Sequence, residues 1–340
     1  MKLIRSFISA VAVSAVLVSG SAHAALTSFQ TFVGSFGVST DGWGSNSTGP
    51  GIISANVPVG ATVRAAYLYT SAYSFYTLGD VGGTLNGSVV DYATNLGSNL
   101  GEDTFSLTAF RADVTSIIKP LIDGGPGGVY DFTITETNFD NVDGSAQDGS
   151  ALVVVYEQAS LPESTVAILD GYALVTGDST TINFAEPPNP AAPDFFAEMR
   201  LGIGYSYDGI DCTLSDQSST VAVNDTLITT SAGCNDDSTD GAENGNLITV
   251  GGFDDPFSPL LPAIADDHER YDLTPYVVLG DTSININTFN SSEDDHVFLA
   301  VFHVAGRASV NEVPEPMPLS LLGLVFAALI WQRKTMGKSA

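Results

Sequence analysis

Asn86-Gly87, Asp123-Gly124-Gly125, Asp143-Gly144, Asp170-Gly171, Asp208-Gly209 and Asn244-Gly245 cut this chain into short segments. Each pairs a residue that tolerates φ > 0 with glycine, the chemistry of a tight reversal. The segments between them are strand-like. Thr62–Thr70, Tyr130–Thr135, Ala151–Tyr156, Thr165–Leu169, Arg200–Tyr207, Thr282–Asn287 and His296–Val304 are β-branched or aromatic, and either alternate apolar with polar or run apolar throughout. Strands reversed this often build antiparallel sheets, so the expectation is an all-β protein. Hydrophobic residues make up 44% of the 340, enough for a substantial core. Eleven Lys+Arg against 39 Asp+Glu leave a formal charge of −28, which repels phosphate backbones and argues against nucleic-acid binding.

The two ends carry a different grammar. Met1–Ala24 reads as a secretory signal peptide: Lys2 and Arg5 lead, Phe7–Val18 is apolar, and Ala22-His23-Ala24 is a small-x-small close. Cleavage falls between Ala24 and Ala25, which implies the Sec export machinery and signal peptidase as partners. At the other end, Val313-Pro314-Glu315-Pro316 precedes an apolar stretch, Leu319–Trp331, and then Arg333, Lys334 and Lys338. That stretch is shorter than the roughly 20 helical residues needed to cross a bilayer. The basic tail would hold the terminus on the cytoplasmic side. A short hydrophobic helix of this kind fits a transient inner-membrane anchor better than a permanent one.

Pro314-Glu315-Pro316, the apolar helix and the basic end, in that order behind a signal peptide, resemble the C-terminal sorting signal of the PEP-CTERM family of Gram-negative bacteria. The resemblance covers residues 311–340. It implies that Pro314, Glu315 and Pro316 are read by exosortase, an integral-membrane processing enzyme, rather than acting in catalysis here. It also implies delivery to the outer surface or the extracellular matrix, where exopolysaccharide is the natural companion.

Within the body, an order of elements recurs. Ala66–Tyr69, Leu85-Asn86-Gly87, Phe110–Thr115, Tyr130–Thr135 and Leu152–Tyr156 are echoed by Leu201–Tyr205, Val223-Asn224-Asp225, Arg270–Thr274, Thr282–Asn287 and Phe298–Phe302. An Asp-aliphatic-Thr element, Asp113-Val114-Thr115 or Asp272-Leu273-Thr274, precedes the last two strands of each copy, and each Asp reads as a turn or helix cap. The Pro-rich stretch 186–194 lies between the copies, where a linker would sit. The expected layout is therefore a signal peptide at 1–24, a β-sandwich at 25–185, a linker at 186–194, a second β-sandwich at 195–310 and the sorting signal at 311–340. The sandwiches are expected to be jelly-roll-like; one large β-sandwich is the alternative.

Candidate chemistry is sparse. Cys212 and Cys234, 22 positions apart, read as a disulfide in an exported chain, with a chain-entropy contribution of about 3 kcal/mol. Acidic residues gather in loops, most densely at 235–244. There Asp236, Ser238, Asp240 and Glu243 offer oxygens to calcium, but the twelfth position of the would-be loop is Leu247, so it is no EF-hand. A solvated acidic loop is the alternative. His268, His296 and His303 are the histidines after the signal peptide; the first two adjoin carboxylates, yet no nucleophile elbow or zinc motif accompanies them. Tyr67 and Tyr69 share a face and read as core, whereas Tyr73, Phe75, Tyr76 and the Trp43 loop are candidates to stack on sugar rings. The reading is a non-enzymatic exported surface or matrix protein, binding carbohydrate or calcium. A secreted polysaccharide hydrolase using a carboxylate pair or a His–Asp pair is the rival.

Overall fold

The computed structural model of the chain describes residues 26–44, 50–74, 78–98, 106–137, 145–173, 177–204, 219–233, 248–260, 268–290 and 296–312. Hence the signal peptide with its Ala24/Ala25 junction, Phe75, Tyr76, Cys212, Cys234, Asp236, Ser238, Asp240, Glu243 and the Pro314-Glu315-Pro316 motif lie outside the described residues.

Among the described residues, the strands form four antiparallel sheets. The first has the order β3 (Pro50–Val57), β9 (Gly128–Glu136), β5 (Gly83–Leu85), β6 (Ser88–Val90). The second runs β2 (Phe36–Trp43), β10 (Ser145–Glu157), β4 (Thr62–Ser74), β8 (Ser106–Asp113), β7 (Thr94–Ser98). The third runs β1 (Thr27–Gly34), β11 (Ser164–Asp170), β19 (His296–Ala305), β13 (Ala197–Gly204), β16 (Thr249–Val250), with β17 (Arg270–Asp272) also paired to β13. The fourth runs β15 (Thr226–Ala232), β14 (Ser219–Val223), β18 (Ser283–Asn290), β12 (Asp178–Phe184), β20 (Ala308–Glu312). A helix, α1 (Thr115–Ile122), follows β8.

Three cores show how the sheets stack. One joins the first and second sheets through Ile53, Phe132, Leu68 and Leu152, with Ile118 and Ile122 of α1 closing it. The next joins the second and third through Tyr69, Val153, Ile168 and Phe298. The last joins the third and fourth through Leu169, Met199, Phe302, Val221 and Ile284. The order is therefore four layers deep. The two inner sheets are covered on both faces, so their strands are buried residue after residue: all seven positions of β11 and all eight of β13. The outer sheets have one wet face, and their strands alternate buried with half-buried, as β12 and β14 do. This is why the sequence shows both continuous apolar runs and period-2 runs.

The echo in the sequence corresponds to a repeated pairing scheme. In the first sandwich β2 pairs with β10, β10 with β4, β4 with β8, β3 with β9, β9 with β5 and β5 with β6. In the second, β11, β19, β13, β17, β12, β18, β14 and β15 take those places in the same order. Details repeat as well. Asn86 and Asn224 both have positive φ, at 50° and 48°, in the hairpin after the fifth-strand position. Asp113 Oδ1 accepts the Thr115 N–H and Asp272 Oδ1 the Thr274 N–H, each at 2.9 Å. The Val114 N–H donates to Ala66 O at 2.9 Å, and the Leu273 N–H to Ala197 O at 2.8 Å. A bulge interrupts β10 between Gln147 and Gly149, and another interrupts the β13–β19 pair at the matching level, between Val297 and Leu299.

The pairing also corrects the expected boundaries. β11 and β12 lie before residue 185, but they pair with β19, β18 and β20 of the second sandwich, and β1 joins them at the edge of the third sheet. The first sandwich is β2–β10, and the chain crosses over between Glu157 and Ser164. The 186–194 stretch is a loop inside the second sandwich, between β12 and β13, where Pro187, Pro188 and Asn189 line a cleft of about 470 Å3 with Phe184 and Arg307.

Because one buried seam joins the two sandwiches, they should unfold together. Ile168→Ala, at a fully buried seam position, is expected to cost about 2–5 kcal/mol. Urea denaturation of the full chain, followed by far-UV circular dichroism and by Trp43 fluorescence in a Trp331→Phe background, should show coincident transitions. Two separate transitions would mean the seam does not couple the halves.

Candidate functional site

Strand polarity places one end of both sandwiches at the same end of the stack. β4 ends at Ser74 opposite Ser145 and Ser106, and β13 ends at Gly204 opposite His296. The Ile248 N–H donates to Asp148 O at 3.1 Å, bringing the two ends together. The polar groups that the sequence buries are concentrated here. Ser71, Glu136, Gln147, Asp148, Asp170 and His296 are all buried near these strand ends.

Glu136, at the end of β9, is strongly perturbed. Its Oε1 accepts the Ser150 hydroxyl at 2.9 Å, and the Tyr92 hydroxyl lies 3.4 Å from the same Ser150 Oγ. Its Oε2 is buried with no hydrogen-bond partner among the described residues. Burial raises its pKa from the ordinary 4.5 to about 8; the Ser150 hydrogen bond opposes this, and the nearby Asp148 charge adds to it. At neutral pH the group is a neutral carboxylic acid.

Two ion-pair networks frame the seam. Arg111 bonds Asp170 through its Nη1, Tyr69 donates to Asp170 Oδ2 at 3.0 Å, and the Arg111 guanidinium stacks 3.4 Å from the Phe29 ring centroid. Burial outweighs these partners and leaves Asp170 above its usual value. Farther along, Glu198 Oε1 accepts from Arg200 Nε and Arg270 Nε at 2.7 Å each. Here burial pulls the carboxyl upward, but two guanidiniums overcome it and hold Glu198 below its usual range. Arg200 Nη1 reaches across the seam to Thr40 Oγ1 at 3.0 Å and Val38 O at 3.4 Å. The Phe253 N–H donates to Thr40 O at 2.8 Å, fastening a loop of the second sandwich to the edge of β2. Asp41 on that edge is pushed up to about 7, chiefly by burial, with the Ser54 N–H opposing and Asp254 adding.

Several residues singled out in the sequence sit elsewhere than expected. Tyr73 is a core residue of the seam, not a ring on a binding face, because β4 runs on to Ser74 and position 73 keeps the parity of Tyr67 and Tyr69. Trp43 is likewise buried, at the end of β2, packed so closely on Gly51 that a Cβ there would lie 1.9 Å from the indole nitrogen. His268 donates its backbone N–H to Ser258 Oγ at 2.8 Å, while the carboxylate of its neighbour Glu269 accepts from the Gly233 N–H at 2.7 Å and the Thr249 hydroxyl at 2.6 Å. His296 is buried against Tyr172, with ring centroids 4.5 Å apart. His303 does not face solvent: it packs on Phe196, and burial lowers its pKa to about 4. Its Nε2 lies 3.3 Å from Ser164 Oγ and Glu198 stands opposite on β13, a serine–histidine–glutamate arrangement on paper. Ser164, however, is fully buried and donates to Phe36 O at 2.7 Å, and Glu198 is held by two arginines. Among the described residues, no group of three or more Asp, Glu, His or Cys is disposed to hold a metal ion.

Sequence reasoning missed Glu136, whose Thr-Glu-Thr context carries no signal of burial, and missed Phe257, an exposed aromatic in a Pro- and Asp-containing loop.

No family model matches the chain, and no curated protein matches it. Among solved structures, it is similar to a chain of the Sputnik virophage at 10% identity, covering 84% of this chain and 86% of that one, with a TM-score of 0.18. It is also similar to the major capsid protein P2 of bacteriophage PM2 at 14% identity, covering 79% and 97%, with a TM-score of 0.19. Scores this low carry no argument about function.

The Glu136 chemistry sets a pH dependence. The folded state keeps this proton while the unfolded chain releases it near 4.5, so Glu136 favours folding at low pH and that contribution is lost as pH rises toward about 8. Wild-type stability relative to Glu136→Gln should fall by about 1 kcal/mol per pH unit across that window. Urea midpoints of both proteins at several pH values check this; parallel profiles would show that Glu136 titrates normally.

Proposed function

We propose that this chain is an exported, non-enzymatic protein of the cell surface or extracellular matrix, passed through the inner membrane and processed by an exosortase-like enzyme. The observation that carries the reading is the order of signals at its two ends: a leader-like Met1–Ala24, then Pro314-Glu315-Pro316, Leu319–Trp331 and a basic tail. The fold offers a geometry that suits such delivery. β1 starts beside Asp170 at the polar end, and β20 runs from Ala308 opposite Phe184 to Glu312 opposite Thr180, toward that same end. Both connections to a membrane would leave from one end, and the other end would project outward. A body with a continuous four-layer core is also what a protein standing outside the cell needs against dilution and proteolysis, since stability there rests on its own packing.

Intact mass and cell fraction of the protein recovered from its host test this reading. The expected result is a chain beginning at Ala25 and ending near Val313–Pro316 in an outer-surface or released fraction. Replacing Pro314, Glu315 and Pro316 by alanine should shift the chain to the inner membrane with its mass running to Ala340. Full-length wild-type protein found in the inner membrane would overturn the sorting proposal.

A further inference from the structure

The end of the second sandwich opposite the polar groups holds a cavity of about 280 Å3, walled by Phe257, Pro259, Leu260, Pro275 and Tyr276, rimmed by Asp272 and floored by Ile228 and Tyr271. The repeat explains why it is there. In the first sandwich the chain leaves the Asp-x-Thr turn as the two-turn helix α1, whose Ile118 and Ile122 are buried in the core and close that end. In the second it makes a single 3-10 turn, Thr274–Tyr276, and leaves as extended backbone at Val277. Val277, buried in the core, stands as many residues after Asp272 as Ile118 stands after Asp113.

The wall of the cavity is a prepared aromatic platform. Phe257 is 45% exposed although it is large and apolar. The Arg270 guanidinium covers it, 4.6 Å from the ring centroid. Arg270 is itself fixed: Nε donates to Glu198 at 2.7 Å, and Nη1 donates to Asp255 O at 2.6 Å and Phe253 O at 3.2 Å. Arg111, which takes the place of Arg270 in the first sandwich, also covers a ring, but that ring is Phe29 of β1 and is spent on packing, because it meets Tyr67 edge-on at 5.0 Å. The second copy leaves its ring available.

The rim selects the ligand. Asp272 uses Oδ1 to accept the Thr274 N–H, and no hydrogen bond to its Oδ2 is found among the described residues. The Tyr276 phenol, pushed above its ordinary value by burial and then by the Asp272 charge, is close to that carboxylate. The lining contains no Lys or Arg, and the molecule carries a formal charge of −28, so an anionic ligand is disfavoured. A flat apolar platform next to a carboxylate acceptor and a phenol fits a molecule with one apolar ring face and a periphery of hydroxyls. The volume lies at the small end of ligand sites and takes one ring.

We infer that this groove binds a neutral pyranose sugar, stacking one ring face on Phe257 with a sugar hydroxyl donating to Asp272 Oδ2. The inference stands on the groove alone and goes beyond the delivery proposed above. A chain that is exported but blind to pyranosides loses only the groove; one that binds them yet stays in the cytoplasm loses only the export reading.

Saturation-transfer NMR on the full-length protein, with methyl glucopyranoside, galactopyranoside and mannopyranoside as probes and decaproline as a competitor, provides the test. At least one pyranoside should receive saturation, and Phe257→Ala should weaken its binding tenfold or more, while Phe257→Tyr retains it. Asp272→Asn, which keeps an oxygen for the Thr274 N–H, should weaken binding without changing the thermal midpoint. The inference is overturned if no pyranoside receives saturation, or if Phe257→Ala binds as wild type does. It is also overturned if decaproline binds and the sugars do not, which would make the groove a peptide site.

Discussion

The second and third sheets pack face to face through a continuous seam of buried apolar residues, and that seam governs most of what the rest of the molecule does. A sheet buried on one face can alternate polar with apolar residues; a sheet buried on both cannot. Hence β11, β13 and β19 are buried almost throughout, and most of their residues are apolar or small. Apolar contact is not directional, so it leaves open how one sheet is placed upon the other. The charged groups at the seam supply that direction. Arg200 reaches from β13 to Val38 and Thr40 of β2, and Arg111 reaches from β8 to Asp170 of β11. A buried ion pair adds little net stability, because desolvation cancels most of its Coulomb gain, but stripping it of one partner costs about 3–5 kcal/mol. A slipped stacking would strip both networks at once. The ion pairs penalise wrong placements more than they stabilise the right one.

The two sandwiches share a plan and have diverged in what they place on it. The level of the bulge shows this best. In β10 the bulged residue is Asp148, buried among polar groups at the strand end; in β19 it is Phe298, whose ring packs 6.2 Å from Tyr69 in the seam. The same backbone irregularity serves a carboxylate in one copy and an aromatic in the other. Tyr67 and Tyr69 likewise occupy, on β4, the positions that Glu198 and Arg200 occupy on β13, as the registers with β8 and β17 require. One copy lines the seam with rings bearing hydroxyls, the other with an ion pair.

Much of the local structure was legible in the sequence. Asn86-Gly87 and Asn224-Asp225 do reverse the chain, because both asparagines accept the positive φ that an Asn-led hairpin turn needs. The Asp-x-Thr elements are turns rather than caps: their carboxylates accept the N–H two residues on, while the residues at the helix starts, Val114 and Leu273, bear no side-chain cap. What could not be read was the partner of each strand. β1 pairs with β11 more than a hundred residues away, and nothing in the composition of Thr27–Gly34 names that partner. The 186–194 stretch has the composition of a linker because proline suits any exposed segment without a ladder, including one folded over its own sandwich. The Tyr73 error is of another kind. The period of two already placed it with Tyr67 and Tyr69; reading the strand as ending early hid a signal that was present. Phe257 gave no signal at all, because its platform depends on Arg270, which is fixed by Glu198 from a distant strand.

The two ends of the stack therefore answer to different conditions. At the polar end, Glu136 is kept neutral by burial and becomes costly as pH rises. At the far end, the Phe257 ring lies under Arg270, which is held by Glu198, and two guanidiniums keep that carboxyl below its usual range. The first and last described strands, β1 and β20, begin and end at the polar end, where Glu136 lies, and the groove lies at the other. A single seam joins them, so a change of charge at Glu136 can lower the stability of the whole without altering the geometry of the groove.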